Sequence, residues 1–481
     1  MSIRKSSIDR AVRAAMRAWK IPGVAVAVVQ GDEVYLQGCG VKEIGTDDPI
    51  TPNTLFAIAS MTKAFTTCAM AILVDEGRMS WDDHPRKHLP YFKLSDAHAD
   101  ALVTMRDLVS HRTGMPRHDA LWSVEDRDAE EIVRRYGVAP HSTSFRSTYE
   151  YANVPFSAAG LCVGNAAGST WQEFVRKRIF KPLGMKAVTR VSQTEAVPDH
   201  SHGHVPYKGK VVMVPAPTHD NSTAAGAINA CADDMSRWIR LQLNDGEFNG
   251  KQIVSKKNLD ETKKPHMVVP VENPDKYGID HGSNLAAYCL GWNKLEYRGE
   301  IIVSHGGWLR GFTSNTTLIP RLNIGFTVLT NIAMDGPSGC LANSLRDILL
   351  DLPRRNWNAD IKKVQAAQKR EAKEKESAEV RHKGTRPSRE LAAYVGDYED
   401  AAYGTLAVSM RSGALYARYG TEYRLKHYHF DTFVGKHEHP EQHEDLKMTF
   451  ALGPDGEPAA IKTFGEGFAV EFRKVKPEGK K

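Results

Sequence analysis

The first 350 residues contain two pairs of short apolar runs, one pair near the N-terminus and one near position 320. Residues 23–29 and 33–37 flank one short polar turn, and residues 312–319 and 323–330 flank another. Apolar runs of this length around a tight turn predict β-hairpins. We therefore expect an antiparallel sheet whose strands come from both ends of this region.

Helical patterns surround these hairpins. The spacing of apolar residues predicts helices over residues 6–19, 60–76 and 338–352, with more helices across the middle of the chain. Residues 61–74 are small or apolar on nearly every face, and Lys63 is their only charged member. This pattern predicts a helix that is buried in a large domain and closed at its C-terminal end by a glycine.

The pattern changes after residue 357. Residues 358–386 are highly charged and almost free of large apolar side chains, which predicts a solvated, partly helical linker. Short alternating runs then follow at the spacing of a small up-and-down β-barrel. They cover residues 394–398, 405–410, 414–419, 423–429, 432–434, 448–451, 461–464 and 470–473. We therefore predict a first domain of residues 1–357, a linker of residues 358–388 and a barrel domain of residues 389–481.

Composition limits the class of protein. The chain has 481 residues and 41% hydrophobic content, which is enough for a sizeable core. The net charge of +6, from 64 basic and 58 acidic residues spread along the chain, argues against nucleic-acid binding. The six cysteines are far apart, so we expect reduced thiols. Residues 1–20 lack the apolar run of a secretory signal and no stretch could span a membrane, so a cytoplasmic protein is expected.

Ser60 and Lys63 lie three positions apart at the start of the predicted buried helix. Residues with this spacing share one face of a helix, within reach of a long side chain. A serine hydroxyl attacks a carbonyl well only when another group takes its proton, and a lysine can do so if burial lowers its pKa. The same spacing at Ser2 and Lys5 lies in a polar N-terminus and is interpreted as chance. From this stretch alone, a lysine that extends to the surface is an equal alternative.

Two further motifs accompany this pair. Tyr151 and Asn153 form a Y-x-N triplet, and His305, Gly306 and Gly307 lie in an apolar segment typical of a strand. A tyrosine could relay a proton, an asparagine could bind a substrate oxygen, and a glycine pair lets a substrate backbone lie close. Each residue taken singly is more often structural, but the joint pattern favours a catalytic site.

The order and spacing of these motifs resemble the serine β-lactamase and penicillin-binding-protein superfamily, in which S-x-x-K, Y-x-N and a K-T-G-type strand converge. Residues 108–116, 174–185 and 224–235 are similar to segments of its class C β-lactamase-like branch, and the resemblance covers residues 8–352. This branch includes carboxylesterases, D-specific peptidases and aminopeptidases, and acyltransferases. The resemblance implies an α/β (α+β) fold, with an antiparallel sheet flanked by helices, a helical lobe and the site between them. The barrel domain resembles the lipocalin-like domain of some relatives.

The resemblance also implies covalent acyl transfer that needs no cofactor and no metal. Ser60 would attack an ester or amide carbonyl while Lys63, with Tyr151, accepts its proton. The backbone N–H groups of Ser60 and Trp308 would hold the oxyanion, and Asn153 would orient the substrate. Whether the lysine or the tyrosine is the base stays open at this point.

One departure from the family bears on the substrate. The chain has no Lys-Thr-Gly sequence, and His305 stands in place of that lysine. A histidine is mostly neutral at pH 7 and would hold a substrate carboxylate less well. We therefore expect weak or no β-lactamase activity, and hydrolysis of small esters or of peptides held by another anchor such as Arg310. The predicted substrate-binding residues are Asn153, His305, Gly306, Gly307, Trp308 and Arg310.

Several alternatives stay open. A D-stereospecific peptidase or aminopeptidase, an acyltransferase and a catalytically weak scaffold protein are the other functions, and a homo-oligomer is one option for the assembly. For the barrel, a stabilising or oligomerising module is favoured over a lid on the site. His427 and His429 point to one face of a strand and, with His437, His439 and His443, raise a metal-site alternative. Surface histidines are the favoured interpretation.

Overall fold

The computed structural model describes residues 2–122, 127–216, 220–378, 381–436, 446–465 and 468–475. The α-helices are α1 (Lys5–Trp19), α2 (Thr62–Asp75), α3 (Ala97–Leu102), α4 (Met105–Leu108), α5 (Ala129–Tyr136), α6 (Val154–Ala167), α7 (Trp171–Val175), α8 (Lys181–Leu183), α9 (Thr223–Gly226), α10 (Ala232–Leu243), α11 (Lys256–Glu261), α12 (Pro337–Leu349) and α13 (Trp357–Ala378). Short 3-10 helices include Ala59–Met61 and Asp119–Leu121.

The strands of the first 350 residues are β1 (Gly23–Gln30), β2 (Glu33–Gly40), β3 (Phe56–Ala57), β4 (Gly203–Tyr207), β5 (Lys210–Val214), β6 (Asn229–Ala230), β7 (Glu247–Phe248), β8 (Lys251–Gln252), β9 (Met267–Val269), β10 (Ala286–Tyr288), β11 (Asn293–Tyr297), β12 (Glu300–Leu309), β13 (Phe312–Ile319) and β14 (Ile324–Thr330). Those that follow are β15 (Gly396–Asp400), β16 (Gly404–Arg411), β17 (Ala414–Tyr419), β18 (Thr421–His429), β19 (Thr432–Lys436), β20 (Leu446–Leu452), β21 (Pro458–Gly465) and β22 (Phe468–Lys474).

One antiparallel sheet unites the two ends of the first 350 residues. Its eight strands lie in the order β2-β1-β14-β13-β12-β11-β10-β9. Within it, Val26 of β1 lies opposite Gln37 of β2 on one side and Val328 of β14 on the other. The predicted sheet and its two hairpins are thus confirmed, and the three predicted helices are α1, α2 and α12 to within a few residues.

Residues of β1 point alternately into two cores, as the side chains of a strand must. Val24, Val26 and Val28 are buried in the core formed with α1 and α12. Ala25 and Ala27 face the opposite core, which contains α2 and helices α3 to α8, the helical lobe. Helix α2 is therefore enclosed on all sides, and this holds the chain that precedes it, including Ser60, in place between sheet and lobe.

The last eight strands close into a barrel in chain order, β15 to β22. The barrel closes where Tyr398 of β15 pairs with Lys474 of β22. Aromatic rings fill its interior, with the Tyr394 ring 4.9 Å from Phe450 and 5.5 Å from Phe433. The predicted up-and-down β-barrel is confirmed, because alternating short runs separated by turn residues leave few other arrangements.

The segment before the barrel is more ordered than its composition suggests. Helix α13 occupies most of the predicted linker, and Trp357 at its start is buried. The indole Nε1 of Trp357 donates a hydrogen bond of 2.7 Å to Asp347 Oδ2 on α12. The charged residues of the segment therefore lie on the solvent side of α13, and Trp357 anchors the first turn of this helix. The domain bounds at residues 357 and 388 stay a prediction.

Three smaller expectations concern cysteines, membranes and metals. All six cysteines are free thiols. Within the described ranges, no helix is both long enough and apolar enough to cross a membrane. His427 donates from Nε2 to the Phe430 carbonyl at 2.8 Å, and His437, His439 and His443 lie outside the described residues. The part of the chain that the structure describes holds no cluster of three or more metal-ligand side chains.

Candidate active site

Ser60 lies in the 3-10 turn that leads into α2, and its position is fixed by the residues just before it. Ala59 has a φ of 48°, in the left-handed region that costs a non-glycine residue about 1–2 kcal/mol. Ile58 holds this turn through two hydrogen bonds. Its N–H donates to the Ile228 carbonyl at 3.0 Å, and its carbonyl accepts from Ser314 Oγ at 2.9 Å. The sheet and the segment before α10 therefore set where the Ser60 hydroxyl points.

Lys63 is fully buried, and its nitrogen lies 3.0 Å from Ser60 Oγ. The same Nζ donates to Asn153 Oδ1 at 2.8 Å and to the Ala225 carbonyl at 2.9 Å. Burial, with a smaller contribution from the Arg117 charge, holds the pKa of Lys63 well below its usual value. A neutral amine has two hydrogens and one lone pair. The two carbonyl oxygens can take the hydrogens, which leaves the lone pair for the Ser60 hydroxyl proton.

Tyr151 is a second side chain that contacts the Ser60 hydroxyl. Its hydroxyl donates to Ser60 Oγ at 2.8 Å. Burial raises the pKa of Tyr151 to about 12, so the phenol keeps its proton at neutral pH. His111, which sequence reasoning did not single out, packs its ring 4.3 Å from the Tyr151 ring and accepts from Ala152 N–H at 3.1 Å. His111 thus fixes the backbone and the ring of this tyrosine.

Asn153 joins the nucleophile region to a turn that sequence reasoning missed. Its Oδ1 accepts from Lys63, and its Nδ2 donates to Asp119 Oδ1 at 3.1 Å. The same carboxylate oxygen accepts from Trp122 Nε1 at 2.7 Å. Because an amide nitrogen carries two hydrogens, one remains for a substrate oxygen. No motif marks Asp119, since its importance comes only from the fold.

His305 lies on the cavity wall as an uncharged ring. Its Nδ1 lies 2.6 Å from the Gly306 carbonyl, which can only accept, so Nδ1 carries the hydrogen. Its Nε2 then accepts from the Tyr288 hydroxyl at 3.0 Å. Burial, followed by the Lys63 charge, lowers the pKa of His305 to about 3. Both ring nitrogens are therefore engaged within the protein, and the histidine brings no charge to the site.

The two glycines after His305 do different things. A Cβ at Gly307 would lie 2.2 Å from the Ile58 carbonyl oxygen and 2.3 Å from Ser314 Oγ. At Gly306 the nearest atom to a Cβ would be the Ser314 carbonyl oxygen, at 3.6 Å. The close approach of a substrate backbone to the glycine pair stays a prediction, while Gly307 also lets β12 approach the segment that carries Ser60.

Replacement of Gly307 by alanine is expected to push β12 away from Ile58. Overpacking of this kind costs about 1–3 kcal/mol of unfolding free energy, and it would displace Ser60 as well. Thermal unfolding of the two alanine variants tests this, with Gly306→Ala as the matched control that keeps the wild-type melting temperature. Equal melting temperatures for both variants would contradict the steric argument.

These side chains line an open cavity of about 790 Å3 between the sheet and the lobe. Ser60, Tyr151 and Asn153 lie on it, and residues 305–310 form one wall. Trp308 is 60% exposed at this wall. The residues that the sequence predicted for the site all line this cavity except Lys63, which is buried next to Ser60. A second cavity, of about 540 Å3, lies beyond α6 and is lined by residues such as Asn165 and Trp171.

Two arginines line the cavity, together with the aspartates Asp119 and Asp335. Arg310, which the sequence suggested as a substrate anchor, ends the wall of residues 305–310, and Arg117 was not singled out from the sequence. The Arg117 guanidinium lies 5.2 Å from the centre of the Tyr151 ring, and its Nε donates to Asp119 Oδ2 at 2.7 Å. The site therefore has cations at its rim although it lacks the lysine of a Lys-Thr-Gly strand.

The chain is similar to known proteins in sequence and in fold. The chain is 27% identical to "Unguisins hydrolase ungD" of Aspergillus violaceofuscus, an alignment that covers 94% of this chain and 86% of that protein. In fold it is similar to the octameric penicillin-binding protein homologue from Pyrococcus abyssi, with a TM-score of 0.64, 20% identity and coverage of 98% and 100%. SurE is similar at a TM-score of 0.60, 18% identity and the same coverage.

Family comparisons cover both parts of the chain. Residues 380–478 match a domain of unknown function, DUF3471. Residues 8–350 match the Beta-lactamase family, which confirms the resemblance inferred from the Ser60 and Lys63 motif and its partners. With this match and the penicillin-binding-protein-like fold, the chain belongs to the Beta-lactamase family.

Proposed function

We propose that this protein is a serine hydrolase that works through an acyl-enzyme on Ser60. The main support is the contact of one hydroxyl with two proton-transfer groups at an open cavity. Ser60 Oγ lies 3.0 Å from Lys63 Nζ and 2.8 Å from the Tyr151 hydroxyl. A hydrolase-named relative that covers nearly the whole chain favours an enzyme over a scaffold protein.

In the proposed acylation, Lys63 is the base and Tyr151 the acid. Ser60 Oγ bonds to the carbonyl carbon while its proton moves to the neutral Lys63 nitrogen. The backbone N–H groups of Ser60 and Trp308 would hold the oxyanion. Tyr151 gives its proton to the leaving oxygen or nitrogen as the bond to it breaks, and the proton on Lys63 then restores the phenol. Water attacks the acyl-enzyme by the same steps in reverse, which releases the acid and Ser60.

The proposed substrates are small carboxylic esters or peptide-like amides, with weak turnover of β-lactams. A neutral His305 cannot form the charge-assisted bond that a lysine gives a carboxylate, a bond worth about 1.5–3 kcal/mol. Arg310 and Arg117 offer cations at other places on the rim, so a carboxylate would bind with a different geometry. A D-stereospecific peptidase or an acyltransferase would use the same groups and is the second candidate.

Turnover of a p-nitrophenyl ester is expected to exceed turnover of a cephalosporin by about 10- to 100-fold in kcat/KM, the factor that a lost charge-assisted bond gives. Parallel assays of the ester, the cephalosporin and D- and L-amino-acid amides measure this and separate esterase from peptidase. An Arg310→Gln variant serves as the internal comparison, because it should slow carboxylate-bearing substrates more than neutral esters. A cephalosporin hydrolysed as fast as the ester would contradict the proposed substrate class.

A further inference from the structure

We infer that the C-terminal barrel helps to position the residues of the active site. Two barrel tyrosines, Tyr403 and Tyr419, hold the turn of residues 117–122, and this turn carries the carboxylate that binds Asn153. The two tyrosines are positioning residues, since neither touches the cavity that holds Ser60. The inference rests on the proposed function for its kinetic test, but its structural test is independent of any substrate.

Tyr403, which lies just before β16, contacts the turn through His118. The His118 Nε2 lies 3.0 Å from the Pro140 carbonyl, so this nitrogen carries the hydrogen and Nδ1 accepts. The Tyr403 hydroxyl donates to this Nδ1 at 2.6 Å. At the end of β17, the Tyr419 hydroxyl donates to the Ala120 carbonyl at 3.2 Å. The barrel therefore binds two successive parts of one short turn.

Arg127 adds hydrogen bonds at the junction between the turn of residues 117–122 and the two barrel tyrosines. This buried guanidinium donates from Nη1 to the Leu121 carbonyl and to the Tyr419 hydroxyl, each at 3.2 Å. Its other terminal nitrogen donates to the Tyr403 carbonyl. One cation thus joins the turn to both barrel tyrosines, in a place where unpaired polar groups would be costly.

The turn needs such support because its backbone is strained. His118 is fully buried and has a φ of 48°. Non-glycine residues persist in this region only when the surroundings hold them there, and such strain is concentrated at functional sites. Here the surroundings are the Tyr403 hydroxyl and the Pro140 carbonyl. Without the barrel contact, one of the two hydrogen bonds that fix the His118 ring is lost.

Strain at His118 bears on catalysis because the next residue is Asp119. Its Oδ1 accepts from Asn153 Nδ2 at 3.1 Å, and Asn153 Oδ1 accepts from Lys63 Nζ at 2.8 Å. A shift of the turn would move the carboxylate and leave the amide free to rotate. The hydrogen-bond partner that orients Lys63 toward Ser60 would then be less well placed. The DUF3471 region therefore acts on the reaction through a series of hydrogen bonds, without entering the site.

The test compares tyrosine hydroxyls inside and outside this junction in the full-length protein. Tyr403→Phe and Tyr419→Phe each remove one hydroxyl from the turn. Tyr398→Phe is the matched control, because its buried hydroxyl donates to the Tyr394 carbonyl at 3.0 Å within the barrel. We expect kcat for a p-nitrophenyl ester to fall about 3- to 10-fold in the Tyr403 variant, the factor of one hydrogen bond. The Tyr398 variant should keep kcat even where its melting temperature falls.

Hydrogen–deuterium exchange of the peptide that covers residues 117–122 distinguishes this role from general stabilisation. A barrel that only stabilised the protein would not change exchange at this turn selectively. We expect this peptide to exchange faster in Tyr403→Phe and in the variant that combines Tyr403→Phe with Tyr419→Phe. In Tyr398→Phe it should exchange at the wild-type rate. Equal exchange in all variants, or equal loss of kcat in the Tyr398 variant, would overturn the inference. If the wild-type protein turns over no ester or amide, the proposed function fails, and the exchange rates alone decide the role of the barrel.

Discussion

Replacement of Ser60 by alanine is expected to abolish ester turnover, with a loss of roughly 10⁴- to 10⁶-fold in kcat, as for other nucleophile deletions. Without Oγ there is no atom to form the acyl bond, and Lys63 and Tyr151 have only water to activate. Alanine fits at this half-buried position, so the fold should be kept. Release of p-nitrophenol by purified full-length protein measures the loss.

A second serine provides the control for this loss. Ser344 lies on α12, where its Oγ donates to the Cys340 carbonyl at 2.8 Å, away from the cavity. Ser344→Ala should keep wild-type kcat. If Ser60→Ala retained a tenth or more of the wild-type rate, the hydroxyl of Ser60 would not be the nucleophile.

Replacement of Lys63 by methionine is the second change with a large expected effect, a loss of about 10²- to 10⁴-fold in kcat/KM. Methionine has a similar length but cannot accept the Ser60 proton, and it leaves Asn153 Oδ1 and the Ala225 carbonyl without their donor. Lys63→Arg should lose as much, because a guanidinium stays protonated. Steady-state kinetics with the same ester measure both variants.

Lys263 is the matched control for Lys63. Burial lowers its pKa to about 8, yet its Nζ donates to the Gln242 carbonyl at 2.9 Å instead of facing Ser60. Lys263→Met should change stability without a comparable loss of kcat/KM. Equal losses in the two methionine variants would show that removal of any buried lysine disables the protein, which contradicts a role for Lys63 as base.

The pH profile of the wild-type enzyme follows from the same groups. Burial lowers the pKa of Lys63 well below its usual value, so at any given pH more of the neutral, basic amine is present than for a free lysine. Activity should therefore be lost as pH falls through that lowered pKa, and not gained. The pKa of Tyr151 is raised to about 12, so the phenol should stay protonated and no alkaline loss from it is expected below about pH 10.

Sequence reasoning found the residues that carry their own motif. Ser60 and Lys63 lie three positions apart at the start of an apolar run, and Tyr151 and His305 lie in segments with recognisable neighbours, so their convergence followed from the family pattern. Asp119 was missed because an acidic residue in an unremarkable turn gives no signal. It contacts Asn153 only because the fold brings the turn of residues 117–122 to the cavity.

The same distinction applies to the sheet and the barrel. Alternating apolar positions were enough to predict β15 to β22, because strand periodicity is local. The contact of Tyr403 with His118 joins residues 285 positions apart, and nothing in either neighbourhood marks it. Gly307 is an intermediate case. The sequence marks this glycine as part of a motif. The neighbour that requires a glycine there, the Ile58 carbonyl, is evident only from the structure.

A covalent intermediate on Ser60 can be detected by labelling the native protein with a fluorophosphonate and locating the adduct by peptide mass spectrometry. We expect one adduct, on the peptide that contains Ser60, and no labelling of Ser60→Ala. Equal labelling of both proteins, or an adduct on a different residue, would contradict this expectation.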